Sequence, residues 1–244
     1  MGQALIACVA LLAVAAGTGH LACLGQTRAV LTAGLRAAVQ LAVVGLVIAV
    51  IFRTPALAPL YLLVVLGAAS WTSGRRLGGS RHALTAATTA IATGALAAGA
   101  VVFAAGALPL SPRTAVPFLA QLVGGSMTAT SLAGQRLIDD VAAGWDQVEA
   151  WLALGAAPEQ AVAPMARTAA ARSLVPALDQ TRNVGLVVLP GSYVGLLLGG
   201  ASPLEAGRVQ LLVLVGLLAA ESLAAVVVTR RLAGLLGRER PARP

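Results

Sequence analysis

Lysine is absent from this sequence. With it goes every phosphate-binding loop of the GxxxxGK[ST] type, whose lysine reaches the terminal phosphates of a nucleotide. Charge is scarce altogether. Only 11% of residues are charged, against about 25% in soluble domains, too few to clothe a surface for water. There are two histidines, two cysteines and no Cys/His cluster at metal-ligand spacing. Nor is there a GxSxG nucleophile elbow, or a pair of carboxylates on one face of an apolar helix. These absences argue against an intramembrane enzyme. Aromatic residues make up 3%, and no basic patch alternates with them, so the net charge of +8 does not signal nucleic acid.

What is present is hydrocarbon. Residues of apolar type make up 58% of the chain, and the mean hydropathy is +0.87. Lipid is the solvent such a composition fits, and in lipid every backbone polar group must be satisfied within a helix or a closed barrel. Apolar runs long enough for about 30 Å of hydrocarbon fall at Ala4–Leu24, Gly34–Phe52, Ala56–Trp71, Ala83–Leu108, Ala115–Ala133, Val184–Gly199 and Ala206–Thr229. The fold class expected is all-α: a polytopic integral membrane protein of about seven transmembrane helices, residues 1–244 forming a single permease-like membrane domain. The first run lacks the basic n-region of a signal peptide and is expected to stay as a span. Its cysteines, Cys8 and Cys23, would lie about 22 Å apart along a helix, too far for a disulfide with each other. His20 and His82 fall near the ends of runs and read as interfacial.

All seventeen basic residues are arginines. Fourteen (Arg28, Arg36, Arg75, Arg76, Arg81, Arg136, Arg167, Arg172, Arg182, Arg230, Arg231, Arg238, Arg240 and Arg243) fall on one side of the alternating runs. Arg53, Arg113 and Arg208 fall on the other. The positive-inside rule then places the N-terminus outside and the C-terminus in the cytoplasm.

One connection stands apart. Residues 134–183 are polar and hold six of the nine acids: Asp139, Asp140, Asp146, Glu149, Glu159 and Asp179. Val141, Trp145, Val148, Leu152 and Gly155 are spaced as on one face of an amphipathic helix. Gly155 suits a helix C-terminus. Pro158 suits the first turn of a second helix, with Glu159 at its positive end. Two cytoplasmic helices broken at Gly155–Ala157 make a rigid knob, the alternative being an amphipathic loop lying on the membrane. Glu149-Ala150, followed by Gly155, resembles the EA…G core by which ATP-binding-cassette permeases engage their ATPase. A motor, if ATP drives this chain, has to be a separate subunit.

Polar residues within apolar runs are costly and mark candidate pathways. Arg36 and Gln40 share a face of the second run. Gln121, Ser126 and Thr128 lie in the fifth, beside Gly124 and Gly125. Glu221 is the one acid deep in any run. Each reads either as part of a translocation route or as a hydrogen bond between helices, worth about 0.6 kcal/mol on average; for Gln210 the second reading is preferred. Pro190-Gly191 should break or kink the sixth run. Gly191, Gly195 and Gly199 form a GxxxGxxxG face suited to close helix packing, or to a moving broken helix. No set of residues identifies a metal site.

Three stretches carry a family likeness. Gly34-Leu35-Arg36-Ala37-Ala38-Val39-Gln40-Leu41 with Gly45 resembles GRAxxQLxxxG. Leu154-Gly155-Ala156-Ala157-Pro158-Glu159-Gln160-Ala161 resembles LGATPxQA. The segment from Arg172 to Leu198, with Pro176, Asp179, Gly185 and Leu189-Pro190-Gly191, resembles RxALIPxxDxxxxxGLVxLPG. In order and spacing these are similar to the FetB-type permeases, bacterial proteins described as iron exporters, with plant relatives linked to aluminium tolerance. Two stretches depart: Pro190-Gly191-Ser192-Tyr193-Val194-Gly195 stands where the family commonly has PGMMxG, and Gln121-Leu122-Val123-Gly124-Gly125-Ser126 where it has GMxxGN, so methionines are lost in both. The resemblance implies an inner-membrane permease subunit of an ATP-driven exporter of metal ions such as iron. Such a subunit binds no cofactor itself, docks a cytoplasmic ATPase that uses the ATP, and works as a homodimer. The competing expectation is a secondary transporter or channel driven by an ion gradient, with Glu221 as its proton-linked group.

Overall fold

The computed structural model describes residues 2–238. Arg240 and Arg243 of the cytoplasmic tally lie outside the described residues. The chain divides into two compact units, residues 1–57 and 58–244. The first holds α1 (Gly2–Leu21), α2 (Thr27–Arg53) and a single 3-10 turn, Pro55–Leu57. α1 and α2 pack as a hairpin in which Gly34 lets Leu12 settle on the α2 backbone.

The second unit contains α3 (Ala58–Arg76), α4 (Arg81–Ala104), α5 (Pro112–Ala143), α6 (Trp145–Ala153), α7 (Pro158–Ser173), α8 (Val175–Arg182), α9 (Gly191–Leu198) and α10 (Pro203–Leu236). Its frame is α4, α5 and α10, mutually packed; α3 leans on α4 and α5, and α7 on α5 and α10. Ser80 accepts the Ala83 N–H at 3.0 Å and starts α4. A reciprocal box of Ser202 and Glu205 starts α10, with each backbone N–H bonded to the other's side chain. At 34 residues, or about 51 Å at 1.5 Å per residue, α10 far exceeds a bilayer core.

Pairings along the frame fix directions. Gly94 of α4 lies on Ala220 of α10, and Thr89 lies beside Val227, so these helices are antiparallel. Gly125 of α5 lies on Glu221, and Gly134 lies on Leu232, so α5 and α10 are parallel. Alanines dominate the contact (Ala87, Ala90, Ala133, Ala169, Ala220 and Ala224 are fully buried), which brings backbones close. Phe103 and Phe118 meet edge to face at 5.8 Å.

Among the described residues four helical segments are long and apolar enough to cross a membrane: Thr27–Arg53, Pro55–Arg76, Arg81–Ala104 and Pro203–Leu236. The first expected span survives as a shorter apolar stretch, Leu5–Leu21. The fifth is helical throughout but is diluted by Gln121, Ser126, Thr128, Thr130 and Ser131. It also continues past Gly134 to Ala143, so the polar connection leaves the helix only at Gly144.

The sixth expected span, Val184–Gly199, differs most from the sequence reading. It is not a continuous helix. Asn183–Pro190 is turns around a bridge between Val184 and Val188, and only Gly191–Leu198 is helical. Pro190 has no N–H to give and clashes with a preceding helical turn, and it disfavours helix in the residue before it. It therefore stands as the N-cap of α9, at φ −63° and ψ 147°. Of the break or kink expected at Pro190-Gly191, the chain has the break, and the residues before it are not helical.

Candidate translocation seam and coupling turn

The polar residues of α5 separate onto two faces. Ser126 and Thr130, one helical turn apart, are wholly buried, and neither hydroxyl has a hydrogen-bond partner. Ser126 faces Gly94. A Cβ there would collide with the Ala220 carbonyl oxygen and lie 2.9 Å from Ser126 Oγ, so glycine is what allows α4 and α10 to close around this hydroxyl. On the other face, Gln121, Gly125 and Thr128 follow one another at helical spacing, and Gln121 and Thr128 are exposed. Glu221 reaches across from α10 and lies on Gly125, where a Cβ would stand 2.7 Å from its Oε1. It is half-buried. The α5–α10 seam thus has the Glu221 carboxylate on Gly125 at its open edge, with Gln121 one turn along the same face of α5 and the unpartnered Ser126 and Thr130 hydroxyls on its buried face.

The remaining pathway candidates lie elsewhere. Arg36 and Gln40 are exposed on α2, in the other unit. Pro190 and Gly191 open α9, which packs on α10 where Ser192 Oγ donates to Gln210 Oε1. Gln210 is buried there, so its side chain ties helices together. A Cβ added to Gly191 or Gly195 would meet nothing within 4 Å. One added to Gly199 would meet only carbonyls of its own helix. Among the described residues, the GxxxGxxxG positions therefore have no other helix within reach of an added Cβ. Sequence reasoning missed Ser70, Ser73, Thr130 and Ser131. Ser73 Oγ lies 2.9 Å from Ser131 Oγ and donates to the Met127 carbonyl at 3.2 Å, clamping α3 to α5. Their signal was available, as small hydroxyls within apolar runs.

The break expected in the polar connection is present. α6 ends at Ala153, and Gly155 takes φ +87°, the left-handed region glycine occupies without strain. Pro158 then starts α7, where Gln160 Oε1 accepts the Ala157 N–H at 3.0 Å. Glu149, Ala150 and Gly155 are exposed, whereas Val148 on the opposite face of α6 is fully buried. Pro158 and Glu159 do more than open α7. They sit on the end of α10, where a Cβ on Gly237 would fall 2.5 Å from the Pro158 carbonyl oxygen, and one on Gly234 would fall 2.5 Å from Glu159 Oε1. The turn is therefore braced by the same helix that carries Glu221. Among the described residues, no group of three or more His, Cys, Asp or Glu is placed to hold a metal ion.

An all-helical bundle with four segments, among the described residues, long and apolar enough to cross a membrane has the make-up of a helical membrane protein. The chain belongs to the uncharacterised protein family UPF0014, whose model matches residues 3–234. It is 34% identical over 226 residues to the UPF0014 membrane protein STAR2 of Oryza sativa subsp. japonica, covering 92% of this chain and 79% of that protein. It is 34% identical over 199 residues to Protein ALUMINUM SENSITIVE 3 of Arabidopsis thaliana, covering 80% and 72%. With the probable iron export permease protein FetB of Escherichia coli it shares 32% identity over 194 residues, covering 79% and 75%. No solved structure matches.

Proposed function

We propose that this chain is the membrane-spanning subunit of an ATP-binding-cassette transporter of the cell's inner membrane. In this reading it exports metal ions such as iron as a homodimer, driven by a cytoplasmic ATPase subunit that binds and uses the ATP. The observation that carries the reading is the α6–Gly155–α7 turn. It is a rigid helical corner with Glu149 and Ala150 exposed on its outer face, and Pro158 and Glu159 are seated on the end of α10. A partner pushing on that corner moves α10, and with it Glu221 against Gly125. The similarity to a protein named as an iron export permease supports the substrate class, and the arginine bias supports a cytoplasmic corner.

Co-expression with the ATPase tests it. Wild-type permease retains the ATPase through purification and stimulates its hydrolysis. Glu149→Arg and Gly155→Pro lose the stimulation while α3–α5 and α10 stay folded. Normal stimulation in both variants would remove the corner as the docking site.

One observation favours a second reading, a gradient-driven transporter: Glu221 is the sole charge in the apolar stretch of residues 211–228. Glu221→Gln separates the two. Loss of a proton-driven flux that needs no ATPase would support the second reading, and intact ATP-dependent export would reject it.

A further inference from the structure

The part of the polar connection that follows the coupling corner, up to residue 183, reads as cytoplasmic by polarity, yet it packs along α10. α7 runs antiparallel to α10. It starts with Pro158 against Gly237 and Glu159 against Gly234, and its later residues Ala166 and Ala170 line a groove with Val226 and Thr229. α9 is fastened by Ser192 to Gln210, and Leu196 lines a pocket with Ala206 and Val209. α8 lies between them in the chain and packs on both α7 and α10. The elements on either side of it, α7 and α9, are therefore anchored near Val226 and near Gln210. Between those positions runs nearly all of residues 211–228, the stretch of α10 whose composition matches the hydrocarbon core.

We propose that α8 sits at mid-bilayer height within a discontinuous crossing made of the end of α7, α8, the irregular residues 183–190 and α9, and that its polar residues line the aqueous route opposite Glu221. Asp179, Gln180 and Arg182 are exposed on it; Asp179 and Arg182, three residues apart, share a face, while Ala177 is turned inward. Charged side chains at that height do not face lipid; they face a water-filled cavity. Irregular backbone such as residues 183–190 is tolerated in a bilayer only where it lines such a cavity or is buried in protein. The face is open in the single chain, so a second copy has to enclose it. Asp179 and Arg182 thereby join Gln121 and Glu221 as route residues.

The route presupposes the transport reading, whereas the height and wetness of α8 do not. Both can be read by pulsed electron paramagnetic resonance on the full chain in proteoliposomes. Cys8 and Cys23 are both free and exposed; with each replaced by serine, nitroxides are placed at Arg182→Cys and Leu211→Cys. Excess unlabelled cysteine-free protein removes distances between copies. With α8 at mid-height the 182–211 distance is about 20 Å; beyond the end of α10 it would be about 40 Å or more, since residues 211 to 236 alone span about 38 Å. Deuterium modulation in heavy water is expected to be strong at 182 and weak at a nitroxide on Leu223→Cys. Thr181→Cys repeats both measurements should the Arg182 variant not fold. A long distance at both labels, or a short distance with a dry label, overturns the proposal. A short distance and a wet label in a protein that never couples to an ATPase would leave α8 where proposed and remove only the ATP-driven reading.

Discussion

Adding one methyl group at Gly94 tests whether the seam is built as described. In Gly94→Ala the new Cβ lands on the Ala220 carbonyl oxygen and 2.9 Å from Ser126 Oγ. The carbonyl belongs to the α10 backbone and cannot rotate away as a side chain would, so α4 and α10 must part. Overpacking of this kind costs about 1–3 kcal/mol. Alanine returns up to about 1 kcal/mol of helix propensity relative to glycine. A net loss of up to about 2 kcal/mol is therefore expected. Gly67→Ala is the matched control: Gly67 lies within α3, and its Cβ would meet nothing within 4 Å. It should gain up to about 1 kcal/mol. The difference between the variants, about 1–3 kcal/mol, isolates the steric effect. Unfolding titrations with a denaturing detergent in mixed micelles, followed by helical circular dichroism, give both midpoints. Equal midpoints, or a Gly94→Ala protein more stable than Gly67→Ala, would mean that α4 and α10 do not close on Ser126.

Gly237→Ala sets a Cβ 2.5 Å from the Pro158 carbonyl oxygen; it should leave the bundle folded but reduce ATPase stimulation several-fold, as measured with purified partner. Ser192→Ala leaves buried Gln210 without its hydroxyl partner and should lower stability by about 0.6 kcal/mol, seen in the same detergent titration. Ser202→Ala removes the hydroxyl that accepts the Glu205 N–H at 3.3 Å; a loss of about 1 kcal/mol should appear as fraying of α10's first turn in hydrogen exchange. Glu221→Gln keeps the shape of the side chain on Gly125; ATPase docking, judged by co-purification, and ATP-dependent export, judged by flux, should both persist.

The elements legible in the sequence were those whose residues alone dictate them. Runs such as residues 34–52 and 206–229 leave a chain in lipid no option but helix, and the α6–α7 corner was legible because Gly155 and Pro158 each have few backbone states to choose from. The α5–α10 seam was half legible. Gln121, Ser126 and Glu221 stood out as polar residues in apolar surroundings, but the approach of Ser126 and Glu221 to one contact depends on Gly94 and Gly125 letting three backbones converge, which no single stretch encodes. Ser73 and Ser131 escaped notice for the same reason: their bond joins positions 58 residues apart. The Val184–Gly199 run misled because apolar composition there reflects surroundings and not helicity, and the backbone preference of Pro190 prevailed over it. Val175–Arg182 reads as loop by polarity, and only its packing on α10 places it. Arg36 and Gln40, alike on paper to the seam residues, belong to a different unit.

The central claim, a permease driven through the α6–α7 corner by a separate ATPase, is tested most directly by flux. Purified permease is reconstituted into liposomes with and without the ATPase, ATP is supplied on the corner's side, and movement of ferrous iron across the membrane is followed. Iron movement that requires ATPase and ATP together, and is lost in Gly155→Pro, is the predicted result. Equal flux from the permease alone, with no ATPase present, would contradict it.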